Sequence, residues 1–405
     1  MNEAKAIPMA NGSGATPLVL FLHGSADMYG SDKVLLNLAT ALLSKGVLLP
    51  VVVLHEDGPL CAALAAAGVE VHVATVVKVQ RRMLGPTLPW SLLRELSRAF
   101  TDLDRIAAGR AVRLVYSNTL AVLGGAFWAR RHGLRHLWHV HEILNRPAAV
   151  RRGLPWLADR LSASVISNSQ QTQDWLLRQA PRLADRAAVV FNGLPLPPQP
   201  DPLAAAKFRF GAGVPVGALL ITVAGRLNHW KGQDLFIEAL ALMSRRGTLG
   251  SMHAAIVGDV FAGHEDLRAQ LVAQADAAGL AQRVHFVPFV KDIWSVWRTT
   301  DIAVVPSIEP EPFGMVAIEA MACGVPVIAA AHGGLLDIIE HERSGLLFRP
   351  RDASALADAI ERLSGCSELR RSLGASGEVR QAVMFSLETQ VRRTQELCLA
   401  VMGQP

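Results

Sequence analysis

Glu311 to Glu319 reads EPFGMVAIE; AMACGVPVIA follows it directly and the apolar run IAVVPS comes just before. A short β-branched run reads as a buried strand, the Pro-Gly turn ends it, and Met315, Ile318 and Ala322 then recur at helical spacing toward a core. VPVIAA starts the next strand. The stretch is therefore one strand, turn, helix and strand of a parallel sheet, and the same rhythm can be followed outward on both sides. GLLF lies downstream; LLITVAG, HAAIVGD and VHFVPF lie upstream as strands, with QDLFIEALALMS and EDLRAQLVAQADAAG as helices between them.

Further upstream the rhythm breaks at NGLPLPPQPDP, Asn192 to Pro202, with five prolines in eleven residues and no apolar periodicity. This reads as a stiff linker. Before it a second series runs, with strands expected at residues 18–22, 51–55, 69–73, 114–116, 136–140, 164–167 and 188–191. SDKVLLNLATALLSKG is a helix that Ser31 would cap and Gly46 would end, with Val34, Leu35, Leu38 and Leu42 on one face. The fold class is α/β, two doubly wound Rossmann-like domains facing across a cleft. Residues 1–198 form the first, 199–385 the second, and 386–405 a helical tail with Leu387, Val391, Leu397 and Val401 apolar. Ligands of such folds bind beyond the carboxyl ends of the strands.

Composition narrows the function. Apolar residues make up 51% of the 405 and charged ones 19%, which excludes a disordered chain. No run reaches the roughly 18 apolar residues of a spanning helix. MNEAKAIPMANGSGAT lacks the apolar core of a secretory signal. Cys61, Cys323, Cys366 and Cys398 are scattered, as reduced cytoplasmic thiols are, and make no zinc site. Residues 1–200 carry 21 basic and 13 acidic side chains, a balance of +8, against 19 and 22, or −3, in residues 201–405. The basic first half points to an anionic partner. Nucleic acid has only this charge in its favour, with no basic motif interleaved with aromatics.

Four loops can carry chemistry. Backbone amides of Phe313, Gly314 and Met315 open a helix, where they can bind anionic or hydroxyl oxygens. Glu311 precedes that turn, expected in a solvent-facing loop, and Glu319 lies two helical turns on. The pair suits sugar hydroxyls, or else Glu311 caps the helix and Glu319 is merely exposed. In GRLNHWKG, Arg226 and Lys231 sit between a strand end and a helix start, a placement that suits a diphosphate. HGSADMYGSDK, after the first strand, has small residues that let backbone approach a ligand. In WHVHEI, Trp138 to Ile143, His141 and Glu142 could face the cleft, while the two histidines suit either a metal pair or structural roles.

GRLNHWKG, HFVPFVKD, EPFGMVAIEAMACGVPVIA and HGGLLDIIEHERSGLLF, in that order, resemble the retaining family 4 glycosyltransferases of the GT-B fold. MYGSDKVLLNLA departs from the family's usual Gly-Gly-Ala-Glu-Arg loop. The resemblance implies that Arg226 and Lys231 neutralise the donor diphosphate, that Glu319 binds the ribose, and that Glu311 holds donor-sugar hydroxyls beside the Phe313, Gly314 and Met315 amides. It puts His141 near the reacting sugar, Gly30 and Ser31 in a loop closing over phosphate and acceptor, and Val287, Pro288, Phe289 and Val290 around the base. It also places the last helix back across the first domain.

The implied activity is transfer from a nucleotide-diphosphate sugar, as co-substrate, to a glycan or lipid-linked acceptor. No cofactor and no metal are expected, because two cations and helix amides can stabilise the leaving charge. The alternatives are a nucleotide-sugar epimerase of the same fold and a non-catalytic sugar-nucleotide-binding subunit; NAD chemistry lacks its GxGxxG. A cytoplasmic protein, peripheral on the inner face of the cell membrane, is the expected setting. There Lys78, Arg81 and Arg82, with Met83 and Leu84, would dock on anionic lipid, followed by Arg94, Arg98 and Arg105 on an amphipathic helix.

Overall fold

The computed structural model describes residues 16–79, 88–260 and 265–403. The chain divides into two compact units: one runs up to Pro195 and takes in the chain from Leu387, and the other is Leu196–Ser386.

The first unit carries seven strands: β1 Leu18–His23, β2 Leu49–Leu54, β3 Glu70–Val73, β4 Val112–Asn118, β5 Arg135–Val140, β6 Ser164–Ser167 and β7 Ala187–Val189. The second carries β8 Leu220–Ala224, β9 His253–Val257, β10 Val284–Val287, β11 Ile302–Val305, β12 Val327–Ala330 and β13 Leu346–Phe348. Every pairing between these strands is parallel. Parallel strands are covered on both faces and read as continuous apolar runs. All six residues of LVLFLH in β1 are buried accordingly. The strand β4 is longer than the three residues expected from sequence, and β7 ends before Phe191.

The orders are β3-β2-β1-β4-β5-β6-β7 and β10-β9-β8-β11-β12-β13. Each reverses once, between β1 and β4 and between β8 and β11. Successive connections leave to opposite sides of the sheet at a reversal, which opens a crevice beyond the strand ends. His23 and Asn118 end the strands at the first reversal, and the loops that carry Lys231 and Glu311 leave from the second.

The helix Gly30–Lys45 ends as expected on Gly46, whose φ of 66° is left-handed. Its start differs from the sequence expectation. Tyr29, not Ser31, is the capping position, and the Asp32 carboxylate accepts the Tyr29 amide at 2.9 Å. Gly30 and Ser31 are the first two helical residues. Leu35, Leu38 and Leu42 pack with Phe21, Val52 and Tyr116, and the tail helix Leu387–Gly403 adds Val391, Cys398 and Val401 to the same core. Burying a side chain such as Val or Leu contributes roughly 1.5–3 kcal/mol, so the tail is a structural part of this unit. Two hydrogen bonds fix its start: Leu387 N donates to Leu194 O at 2.7 Å and Gly193 N to Gln390 Oε1 at 2.9 Å. The end of the proline-rich stretch is not linker, since Pro202 opens the helix Pro202–Gly211 with Asp201 as its cap.

Candidate active site

In the second unit, the loops after β8 and β11 flank the reversal and are stitched together. Gly232 has φ 72°, and a Cβ there would lie 2.0 Å from the Pro306 carbonyl oxygen, so only glycine permits this approach. Ile308 N donates to Trp230 O at 2.8 Å. The stitching carries the Lys231 ammonium to 2.8 Å from Glu311 Oε1 and 4.5 Å above the Trp230 ring centre. Ser307 Oγ donates to the same carboxylate oxygen.

Glu311 is held from behind as well. Gly334 N donates to Glu311 O at 2.7 Å, and a Cβ on Gly333, at φ 61°, would come within 2.3 Å of that oxygen. His332 Nε2 donates to Ser307 O at 2.7 Å. Burial pushes this imidazole below its ordinary value, against the pull of the Ser307 carbonyl, Glu311 and Glu309. The expectation of a solvent-facing Glu311 is corrected: its side chain is 6% exposed. Nor does it cap the following helix, whose capping position is Gly314.

That helix, Met315–Met321, is short; Ala317, Ile318, Ala320 and Met321 are its buried face, and Met315 and Glu319 are half-buried. The Phe313 ring is buried and meets Phe385 edge-on at 5.9 Å, so its side chain serves the core. Arg226 is half-buried, two residues past β8, and its carbonyl accepts Gln233 Nε2 at 3.2 Å. Val287 closes β10; Pro288 and Phe289 after it are exposed, Val290 is half-buried, and Phe289 N donates to Asp259 Oδ2 at 3.0 Å. Arg226, Lys231, Glu311 and the 287–290 segment therefore share the carboxyl-end edge of one sheet. Two cations and a carboxylate there can bind a phosphate and a hydroxyl side by side.

In the first unit His141 follows β5, and its Nε2 donates to Asn118 Oδ1, at the end of β4, at 2.9 Å. His23 ends β1 and sits 2.7 Å from Asp32 Oδ1. The Glu142 carboxylate is engaged by backbone: it accepts the amides of Leu120 at 2.7 Å, Ala121 at 3.3 Å and His141 at 2.9 Å. Desolvation raises its carboxyl above the ordinary value, partly offset by those three amides. His139 and His141 have ring centres 3.9 Å apart with their planes tilted by 40°, His139 Nδ1 meets the Tyr116 hydroxyl at 2.7 Å, and among the described residues no three potential ligands converge on a cation site. Burial pushes His139 down to about 3.

Sequence reading missed Ser307, Trp230, His332, His23, Asp32 and Asn118. His332 stood inside a quoted motif, but a single polar residue closing an apolar strand, such as Asn118, carries no local signal.

Of the basic residues expected at a membrane, Arg81 and Arg82, with Met83 and Leu84, lie outside the described residues. Lys78 is corrected: it is half-buried, and its ammonium donates to the Gly24 carbonyl at 2.7 Å, where it braces the first loop. No helix among the described residues is long and apolar enough to cross a membrane.

Residues 28–196 match Glycosyltransferase Family 4, and residues 205–380 match Glycosyl transferases group 1. The D-inositol 3-phosphate glycosyltransferase of Jonesia denitrificans is 33% identical over 56% of this chain and 54% of its own. The lipopolysaccharide core biosynthesis mannosyltransferase LpsB of Rhizobium meliloti is 28% identical over 80% of this chain and 92% of its own. Anabaena HepE, solved in complex with UDP and glucose, is 27% identical with a TM-score of 0.82, over 95% of this chain and 100% of that one. The chain spans about half the length of the D-inositol 3-phosphate glycosyltransferases it matches.

Proposed function

The chain belongs to the GT-B-fold glycosyltransferases related to group 1 and family 4, and from that premise we propose that it moves a sugar, with retention, from a nucleotide-diphosphate sugar to a glycan or lipid-linked acceptor. The observation that carries this reading is the Lys231–Glu311 pair at the reversal of the second sheet.

As the bond from the anomeric carbon to the phosphate oxygen breaks, negative charge grows on the diphosphate. The Lys231 ammonium gives one N–H to Glu311 and keeps two for phosphate oxygens. Arg226 adds a second cation. Glu311 has Oε2 left to accept a sugar hydroxyl. The acceptor hydroxyl attacks from the face the diphosphate leaves, and its proton passes to the departing phosphate oxygen. A carboxylate nucleophile on the opposite face, as in retaining glycosidases, is not required. His141 takes the role the resemblance implies, orienting the sugar as a neutral imidazole. Charge stabilisation by preorganised cations needs no divalent metal.

The likeness to HepE and LpsB makes UDP-glucose and a nucleotide-diphosphate mannose the first donors to test. Sugar transfer that survives exhaustive chelation and yields a product of the donor's anomeric configuration supports the reading. An altered sugar formed from the donor without any acceptor, and no transfer when acceptor is added, would replace it by epimerisation.

A lipid-linked acceptor on an anionic membrane fits the helix Leu88–Ala107. Trp90 is 78% and Leu93 61% exposed near its start, and Arg94, Arg98 and Arg105 are exposed along the same face. Apolar residues entering a headgroup layer behind a basic stripe are how a helix lies on a bilayer.

A further inference from the structure

Four polar side chains that are far apart in sequence form one hydrogen-bonded chain at the reversal of the first sheet. Asp32 Oδ1 lies 2.7 Å from His23 Nε2, His23 Nδ1 lies 3.1 Å from Asn118 Nδ2, and Asn118 Oδ1 lies 2.9 Å from His141 Nε2. His23, Asp32 and Asn118 are each 1% exposed. His141 Nδ1 is buried and has no hydrogen-bond partner among the described residues.

We propose that Asn118 is a positioning residue for His141, turned by the buried His23–Asp32 pair so that it holds the ring with its proton on Nε2 and its lone pair on Nδ1. The functional part of this proposal rests on the glycosyltransferase reading above.

Each proton is placed by the one before it. A carboxylate can only accept, so Asp32 requires the hydrogen of His23 on Nε2. With its hydrogen on Nε2, His23 presents Nδ1 to Asn118 Nδ2 at 3.1 Å, which leaves the amide oxygen facing His141. An amide oxygen also only accepts, so the His141 hydrogen sits on Nε2. The anchor is strong at its far end, where Asp32 also accepts the Tyr29 amide at 2.9 Å and the Ser25 hydroxyl at 3.3 Å. The Asn118 backbone carbonyl lies 2.9 Å from the same Nδ1, so both ends of Asn118 are set against His23.

The titratable groups around His141 are His139 on its own strand, Tyr116 from β4, His23 from β1, Asp32 from the first helix and the neighbouring Glu142. Burial, then His139 and His23, push the imidazole well below its ordinary value, against the pull of Asp32. A ring kept neutral with one defined lone pair has a single way to meet a sugar hydroxyl or a developing positive charge.

The test has two arms. The full chain labelled with ¹⁵N-histidine, with His141 assigned by its loss in His141→Gln, should show His141 at neutral pH protonated on Nε2 alone. A ring carrying its hydrogen on Nδ1, or on both nitrogens, overturns the proposal whether or not turnover is found. In the kinetic arm, UDP-glucose turnover is compared for Asn118→Ala and Asn118→Asp, both checked for folding by circular dichroism. Asn118→Ala should lower kcat by about 10- to 100-fold with KM for the donor near wild type, since a misplaced group can cost about a hundredfold. Asn118→Asp sets a carboxylate against Nε2, which favours the imidazolium. The acid limb of the profile should move up by about one pH unit or more, with activity recovering at alkaline pH. A folded Asn118→Asp with an unmoved profile would also overturn the positioning role. A wild-type chain that shows the stated tautomer yet transfers no sugar would sink the glycosyltransferase reading and leave the positioning of His141 standing.

Discussion

The two sheets reverse in the same way but hold different chemistry at the reversal. In the second unit the loops after β8 and β11 bring Lys231 and Glu311 together with hydrogen-bonding capacity to spare, and the Lys231 side chain is still 17% exposed. In the first unit the strand ends themselves carry His23 and Asn118, sealed at 1% exposure, and the chain of hydrogen bonds ends on a nitrogen with no partner among the described residues. A site that meets a charged ligand is built from loops that keep some water access. A site that fixes one ring in one protonation state is built where water is excluded and each partner dictates the next.

The sharpest way to break the comparison is His23→Ala, which leaves the Asp32 carboxylate buried without its partner. Leaving a buried carboxylate without its hydrogen-bond partner costs about 3 kcal/mol or more of stability, and the urea midpoint should fall accordingly. Asp32→Asn adds a sign. Burial pulls the Asp32 carboxyl up, but its hydrogen bonds with His23, the Tyr29 amide and Ser25 outweigh it, so its folded pKa lies below the ordinary 3.8. Stability from such a group is present above the unfolded pKa and lost as pH falls through the folded one. The gap between wild type and Asp32→Asn should therefore narrow in acid; a gap that widens would contradict the pairing.

Next in size is the second reversal. Lys231→Ala and Glu311→Ala should each lower turnover about a hundredfold, roughly 3 kcal/mol of transition-state stabilisation. Because the two touch, the double variant should lose less than the two losses combined. Either folded single variant with more than half the wild-type rate would remove the assignment. Smaller again is Gly232→Ala: with a left-handed φ and the Pro306 carbonyl in the way, about 2 kcal/mol of stability should go. An unchanged melting temperature would show that the loop can move aside. The smallest effect is on vesicles. Arg94→Glu and Arg98→Glu should each weaken sedimentation with anionic lipid by about 1 kcal/mol, less as salt rises. Equal partition onto neutral vesicles would end the membrane proposal.

The same contrast explains how much was legible. The strands could be read because parallel strands buried on both faces leave apolar runs, and Gly46 could be read because helix ends favour left-handed glycine. Arg226, Lys231 and Glu311 stood out because each lies in a short motif between a strand and a helix, and the structure brings Lys231 and Glu311 together. Asn118 and His23 could not, since each is one polar residue closing an apolar strand and gains its partner only when β1 and β4 pair. Ser31 misled because Asp32, one residue on, reaches back to the Tyr29 amide and sets the helix start. Glu311 looked exposed because its burial depends on Gly333 and Gly334, more than twenty residues downstream.

The central claim is that the second unit grips a nucleoside diphosphate with Arg226 and Lys231. Calorimetric titration of the full chain, in chelator, with uridine, guanosine and thymidine diphosphates and their monophosphates tests it most directly. At least one diphosphate should bind at least tenfold more tightly than its monophosphate, about 1.4 kcal/mol, and Lys231→Ala should erase that advantage. Binding that requires manganese, or a diphosphate preference that Lys231→Ala leaves intact, would contradict the account.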